Sequence, residues 1–273
     1  KLSVDKVNLS FLANASYVKN EIKNLGNQTG YIDKESLPTL GTVSRNQNGY
    51  PIGYFFGYKA IGVFQTQEEI DNYISPATGK PIQPNAVPGD TKFEDLNGDG
   101  VISDDNEDRT MIGKPNPDWI VGLTVAADWN GFDLSAFFQG SFGADVFDAL
   151  RRYELAAVNY TSDALERWTG PGTSNSMPRI VLGDTPKNFR PSTLLVHDAS
   201  FLRLRNLQVG YTLPAQLTRK AYIQRLRFYA SFDNLLTITG YKGMDPEIGS
   251  TMGIDKGVYP QARVYTFGLN LTF

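Results

Sequence analysis

Residues 119–142 read WIVGLTVAADWNGFDLSAFFQGSF and predict a β-hairpin. Apolar residues occupy every second position from Trp119 to Trp129 and again from Phe132 to Phe142. In the second run Phe137 is the exception, because it is apolar at a position where the pattern expects a polar residue. This period of two places the alternating apolar residues on one face of each strand. Asn130-Gly131 separates the two runs and favours a type I′ turn, which needs positive φ at both central positions. Both runs reach the length of about 9 to 11 residues that a strand needs to cross a bilayer.

Alternating patterns predict further strands, and together they indicate an all-β fold of about seven antiparallel strands. The additional runs are 7–17, 52–64, 200–213, 226–238 and 263–273. Short links follow Trp129 and Leu213, whereas residues 65–118 and 143–199 form two long, polar connections. In an up-and-down sheet the short links share one rim and the long loops the other, which is typical of an outer-membrane barrel. Residues 18–51 are an exception, because this long connection falls on the short-turn side.

Seven strands cannot close a large barrel, and bacterial single-chain barrels have even strand numbers. Open sheet edges cannot face lipid, because their backbone polar groups would be unpaired. The transmembrane interpretation therefore predicts that the chain is an incomplete part of a larger barrel.

The composition excludes several classes of site. The 273 residues contain 26 Lys and Arg against 29 Asp and Glu, a single His and no Cys. Disulfide scaffolds, thiolate zinc sites and cysteine nucleophiles are therefore excluded. The sequence also lacks the stripe of basic residues that is typical of nucleic-acid-binding proteins. It contains no GxSxG, HExxH, P-loop or GxGxxG motif. We predict that the chain is not an enzyme.

Residues 94–108 carry seven acidic side chains and no Lys or Arg. Residues 95–101 match the first seven positions of a calcium loop, in which oxygens come from positions 1, 3 and 5 and a carbonyl from position 7. These positions are Asp95, Asn97, Asp99 and Val101. The twelfth position is Asn106 rather than a bidentate acid, so Asp104, Glu107 or Asp108 would have to replace it. The alternative is a solvated cluster of Asx turns without a metal.

Two other groups of residues are candidates for ligand contacts. Arg151-Arg152-Tyr153 and Trp168 lie in the second long loop, where an amphipathic helix over about 144–168 is the structural alternative. The aromatic stretch 49–58 is either a stacking surface for sugars or part of the aromatic girdle of a barrel.

Several motifs occur in an order that resembles the C-terminal third of the SusC/RagA family of TonB-dependent outer-membrane transporters. They cover nearly the whole chain: GYFFGY at 53–58, GVFQTQEEI at 62–70, GDTKFEDLNGDG at 89–100, DRT at 108–110, IG at 112–113, PD at 117–118, FLRLRN at 201–206, GYTLP at 210–214, NLL at 234–236, YKGMDPE at 241–247, YPQAR at 259–263 and the terminal Phe273.

The resemblance implies a 22-stranded barrel with an N-terminal plug, in the outer membrane of a Gram-negative bacterium of the Bacteroidetes type. This chain would supply the last seven strands, and 65–118 and 143–199 would be extracellular loops. The implied partners are the rest of the barrel and plug, TonB through the plug region, outer-membrane lipid and a SusD-like surface lipoprotein. The implied cargo is an oligosaccharide or a peptide. Phe273 resembles the terminal barrel-assembly signal, and Asp108, directly before Arg-Thr, matches the last ligand of the family's calcium loop.

We therefore predict one part of a SusC-like importer whose inward residues include Asp133, Gln139, Arg227, Ser231 and Asp233. The first alternative is a secreted, calcium-stabilised β-sandwich that binds glycans, which would pack two sheets of shorter strands face to face. The second is a glycoside hydrolase, which would need two carboxyl groups facing each other across a cleft.

Overall fold

The computed structural model describes residues 2–4, 7–38, 40–104, 107–151, 159–248 and 252–273, with backbone only for 2–4. Its strands are β1 (Leu2–Val4), β2 (Val7–Tyr17), β3 (Tyr31–Asp33), β4 (Ser36–Leu37), β5 (Gly41–Thr42), β6 (Ser44–Gln47), β7 (Tyr54–Tyr58), β8 (Ala60–Val63), β9 (Thr91–Phe93), β10 (Arg109–Gly113), β11 (Trp119–Trp129), β12 (Phe132–Phe142), β13 (Asp145–Asp148), β14 (Val196–Asp198), β15 (Phe201–Thr212), β16 (Arg225–Thr239), β17 (Ile254–Asp255) and β18 (Val264–Thr272). The helices are α1 (Gln67–Asp71) and α2 (Ala215–Thr218), with 3-10 turns at Ser162–Glu166, Leu182–Asp184, Thr193–Leu195 and Arg219–Ala221.

The main sheet has seven strands in the order β1-β2-β11-β12-β15-β16-β18, and every neighbouring pair is antiparallel. The predicted hairpin is confirmed: Trp129 pairs with Phe132, and the turn residues Asn130 and Gly131 have φ of 49° and 87°. All-β architecture and long antiparallel strands therefore follow the sequence pattern.

One predicted strand is wrong. Residues 52–64 do not join the main sheet but divide into β7 and β8, which pair in two smaller sheets. All five residues of β7 are buried, because its apolar side chains are consecutive and need cover on both faces of the strand. β1 supplies the seventh strand of the main sheet instead.

This correction removes the irregular connection at 18–51. The segment between β2 and β11 covers residues 18–118, so the predicted loop 65–118 is only part of it. The segments 18–118, 143–200 and 240–263 all leave the same edge of the sheet, which we call the loop rim. The connections after β1, β11 and β15 are shorter and lie at the opposite edge, the turn rim.

The three long segments pack together into one unit, which we call the loop module. A four-stranded sheet, β10-β7-β6-β3, comes from the first segment, while β13 of the second pairs with β17 of the third. The core draws on all three: its buried members are Leu37, Val43, Phe55, Phe147, Leu195 and Ile254. The aromatic stretch 49–58 contributes to this interior, since Tyr54, Phe55, Phe56 and Tyr58 are buried. It is neither an exposed stacking surface nor a girdle.

The helix considered over 144–168 is also absent from the described residues of that range, which contain β13 and a 3-10 turn. Arg152 and Tyr153 lie outside the described residues.

The main sheet has one apolar and one polar face. Exposed side chains on the apolar face include Phe11, Trp129, Phe228, Phe267 and Leu269. No second sheet covers them in the described chain, so the β-sandwich alternative is wrong. No described helix has both the length and the apolar character needed to span a bilayer.

Candidate functional site

The polar face of the main sheet carries a hydrogen-bonded network. Arg227 of β16 donates from Nε to Asp133 Oδ1 of β12 at 2.9 Å and from Nη2 to Gln208 Oε1 of β15 at 3.0 Å. Farther along, Asn206 Nδ2 donates to Asp233 Oδ1 at 2.6 Å. The strand period predicted Asp133, Arg227 and Asp233 as inward residues, and the register brings them into contact with Gln208 and Asn206 of β15.

A β-bulge extends this network toward the loop rim. In the pairing of β12 with β15, Phe137 pairs with Asn206 and Phe138 with Leu204, so Arg205 is an extra residue of β15. The pairing with β16 is irregular at the same level, where Asn234 has φ of 53°. Because of the extra residue, Arg205 and Asn206 both contact polar-face side chains although they are adjacent in sequence. Arg205 Nε donates to Gln139 Oε1 at 2.8 Å.

Arg203 and Arg205 attach the third long segment to the polar face. Arg203 is buried and binds Asp245 through Nη2 and Glu247 Oε2 through Nη1, the latter at 3.0 Å. Arg205 Nη2 also binds both oxygens of Glu247. Burial acts to raise the pKa of Asp245, but the amides of Gln261 and Glu247 together with Arg203 outweigh it, so the pKa is lowered. Asp245 therefore remains an acceptor for Arg203.

These four residues lie in the motifs FLRLRN and YKGMDPE, and the sequence pattern predicts no contact between the two. The available signal was charge at alternate positions, because Arg203 and Arg205 flank Leu204 in a strand. Their acidic partners lie more than 40 residues away in sequence, and no local pattern links them.

The acidic loop is closed by carboxylate-to-amide hydrogen bonds. Asp95 accepts from the amides of Gly98 at 2.8 Å and Gly100 at 2.9 Å. Asp99 Oδ1 accepts from the Val101 amide at 2.8 Å. Asn97 Nδ2 donates to Asp99 Oδ2 at 2.9 Å and to Glu107 Oε2 at 3.0 Å. The structure thus brings Asp95, Asn97 and Asp99 into one turn, with Glu107 beside them.

Asp108 lies at the base of this loop. Its side chain is fully buried and accepts from the amides of Leu96 at 3.1 Å and Ser103 at 3.0 Å. These bonds join the two ends of the loop. Asp105 and Asn106 lie outside the described residues.

The oxygen donors of the loop fit a hard cation in chemical type. The positions of their side chains fit less well: within the described ranges, no three acidic, His or Cys side chains are grouped as a metal cage. A bound ion would require part of the amide-bonded arrangement to turn inward.

The second and third long segments form a cleft of about 400 Å³, which is lined by Arg151, Asp163, His197 and Lys242. Arg151 binds Asp163 through Nη2 and Asp148 Oδ2 through Nε, the latter at 2.9 Å. Burial and the neighbouring Arg151 both lower the pKa of His197. Arg151 therefore lines a cleft, and its contact with a ligand stays a prediction.

Trp168 has a packing role instead. Its Nε1 donates to Gln65 Oε1 at 3.2 Å, and its ring occupies the space beside Gly89, where an added Cβ would lie 2.4 Å from the ring. It joins the first and second long segments.

Comparison with known proteins identifies the family. No protein-family model matches the chain. TonB-dependent receptor P3 of Formosa agariphila is 34% identical over 238 residues, which cover 83% of this chain. TonB-dependent receptor SusC of Bacteroides thetaiotaomicron is 30% identical over 263 residues, or 95% of this chain. The chain belongs to the SusC/RagA family of TonB-dependent receptors.

The solved structures agree with this assignment. A structure of the RagAB peptide transporter covers 100% of this SusC/RagA-family chain, with a TM-score of 0.74 and 26% identity. The seven-stranded sheet is accordingly part of a TonB-dependent transporter barrel, and the chain is not an enzyme, which excludes the glycoside hydrolase. The chain spans 23% of the length of P3, 24% of SusC and 28% of the RagAB transporter chain.

Proposed function

We propose that this chain is part of a 22-stranded outer-membrane importer of oligosaccharides or peptides. The observation that carries the proposal is the two-faced sheet, which exposes apolar side chains on one side and carries the Arg227–Asp133 pair on the other. The apolar face contacts lipid, and the polar face surrounds the plug and the transport path. The likeness to receptors of the SusC type and to a peptide transporter supports nutrient import.

The same proposal assigns the partners. The loop module lies on the extracellular side, where it contacts a SusD-like lipoprotein, and TonB acts through a plug formed by the rest of the protein. Barrel strands outside this chain pair with β1 and β18, the edge strands of the main sheet. Phe273 follows β18 at the turn rim, and its side chain is exposed.

Membrane fractionation of the whole protein that carries this chain tests the proposal. We expect it to sediment with outer membranes of a Bacteroidetes host, to need detergent for release, and to lose substrate uptake when TonB is disrupted. A protein that is released by high-pH buffer without detergent would contradict the proposal.

We also propose that the loop at 95–108 binds one structural calcium ion. Asp95, Asn97 and Asp99, the carbonyl of Val101 and the carboxylate of Asp108 are the assigned ligands; the proximity of Glu107 to Asn97 makes it an additional donor. Support comes from the DxNxDG spacing and from the acidic excess, which a divalent ion would neutralise. Bound calcium would hold the loop together and supply no reaction chemistry.

Calcium removal tests this second proposal. At calcium concentrations about 100 times the dissociation constant, binding should add about 2.7 kcal/mol to the free energy of unfolding of the loop module. We expect EGTA to lower the unfolding midpoint and Asp95→Asn to abolish that response. Asp71→Asn, outside the loop, should keep it. An unchanged midpoint with EGTA, together with no heat on calcium titration, would refute the proposal.

A further inference from the structure

The loop module contains a second cleft, which we call the cationic cleft and define by Tyr58, Asp104, Arg109, Lys187 and Arg190. Its volume is about 350 Å³, within the range of about 300–1,000 Å³ that is usual for ligand pockets. Residues from the first and second long segments form its walls, so it exists only when the module is assembled.

Positive charge exceeds negative charge in this cleft. Arg109, Lys187 and Arg190 face two lining acids, Asp104 and Asp184. The carboxylate of Asp184 accepts from the amides of Asn188 at 2.8 Å and Phe189 at 2.9 Å, which directs it toward the backbone. Asp104 is therefore the acid that directly offsets the cations at the opening.

The guanidinium of Arg190 is held in place but retains a donor. It lies over the rings of Tyr58 and Phe93, with Cζ 4.7 Å and 4.9 Å from their centroids, and its Nε donates to the Lys187 carbonyl at 3.1 Å. Its Nη1 is buried and makes no hydrogen bond to the described part of the chain; Asp104 Oδ1 is 3.7 Å away. A fixed guanidinium with an unused N–H suits a carboxylate oxygen, because little side-chain freedom is lost on binding.

The backbone that presents Lys187 and Arg190 is strained. Two non-glycine residues, Asp184 and Lys187, have φ of 43° and 59°. Such conformations cost free energy and persist where surrounding contacts enforce them, often at ligand sites. Here the Asp184 hydrogen bonds enforce the turn, and the turn places both cations on one wall of the cleft.

Asp104 occupies the position that an anionic ligand would take. It pairs with Lys187 and is mostly exposed, so this ion pair is screened by water and costs little to break. An entering carboxylate can replace Asp104 at Lys187 and accept from Arg190 Nη1.

We propose that the cationic cleft binds a carboxylate group of the imported oligomer. The inference rests on the proposed import function and adds that the cargo is acidic: a uronate-containing oligosaccharide or a peptide with an acidic side chain. Lys187 and Arg190 contact the carboxylate, while Asp184 positions them.

Binding measurements on the whole detergent-purified protein test the inference. One arm compares trigalacturonate with its methyl ester, and the other compares an amidated peptide containing one aspartate with its asparagine counterpart. We expect the charged member of at least one pair to bind about tenfold more tightly than its neutral counterpart, because charge-assisted hydrogen bonds are stronger than neutral ones. The pair that shows this difference identifies whether the carboxylate belongs to an oligosaccharide or to a peptide. Raising NaCl to about 500 mM should reduce that preference.

Variants locate the binding in the cleft. Lys187→Gln and Arg190→Lys should each reduce the preference about five- to tenfold. Lys256→Gln is the matched control, because Lys256 is equally exposed and also pairs with a carboxylate, that of Glu35 at 3.0 Å. Equal affinity for charged and neutral probes, or a preference unchanged in both variants, would overturn the inference. Loss of cellular uptake with intact binding would instead refute the import function.

Discussion

At the scale of single residues, Arg203 is the clearest case of a charge that depends on its partners. Its side chain is among the largest fully buried ones in the described chain. Nε donates to Thr237 Oγ1 at 2.9 Å, and the terminal nitrogens bind Asp245 and Glu247. Desolvating these charges is tolerated only because every side of the guanidinium is paired. The network connects the third long segment to the polar face of the sheet.

Arg203→Ala should lower the free energy of unfolding by about 3–5 kcal/mol, because it leaves the buried Asp245 without its cationic partner, while Glu247 keeps only Arg205. Urea titration of the protein in lipid vesicles measures this loss. Tryptic cleavage after Lys242 and Lys256 should also accelerate as the segment detaches. Arg225→Ala, an exposed arginine of β16, serves as the control. Equal stability and equal cleavage of the two variants would contradict the assigned role of Arg203.

At the scale of elements, β7 is specified by close packing between segments. A Cβ at Gly57 would lie 2.4 Å from the carbonyl oxygen of Pro191 and 2.7 Å from Ile112 Cδ1. The neighbouring Tyr58 amide donates to the same Pro191 carbonyl at 2.8 Å. A side chain at position 57 would therefore separate the first and second long segments, which together form the cationic cleft.

Gly57→Ala should destabilise the loop module by about 1–3 kcal/mol through overpacking against backbone atoms. Hydrogen exchange of the module amides before and after substitution measures the effect. Gly170→Ala is the matched control, because no atom of the described residues lies within 4 Å of the position that its Cβ would take, and its φ is not in the left-handed region. If both variants exchange at the same rate, β7 and Pro191 are not closely packed.

At the scale of the whole molecule, the sheet separates two environments. Adjacent residues on β11 illustrate this: Val125 pairs with Ala136 and Phe11, whereas Ala126 pairs with Ser135 and Ser10. The same alternation continues across the neighbouring strands to the Arg227–Asp133 pair. In the proposed importer, lipid contacts the apolar face of this sheet and polar contents of the barrel contact the other face.

Val125→Arg should destabilise the assembled protein by about 2–4 kcal/mol, the cost of placing arginine on the lipid face near the bilayer midplane. Ala126→Arg, one residue later on the polar face, should be tolerated. Folding yield and urea midpoints in vesicles compare the two variants. The opposite ranking would reverse the assignment of the faces.

The sequence by itself determined the long strands, the Asn130-Gly131 turn and, away from the β-bulge at Arg205, the face on which the strand residues lie, because these depend on a period of two and on local turn geometry. Only the tertiary structure decided that residues 52–64 leave the main sheet, since consecutive aromatic residues do not specify which surfaces will cover them. It also decided that Arg203 meets Glu247 and that Tyr58 lies beside Arg190. Such contacts join residues far apart in the chain, and their partners are set by the packing of the three long segments rather than by any local pattern.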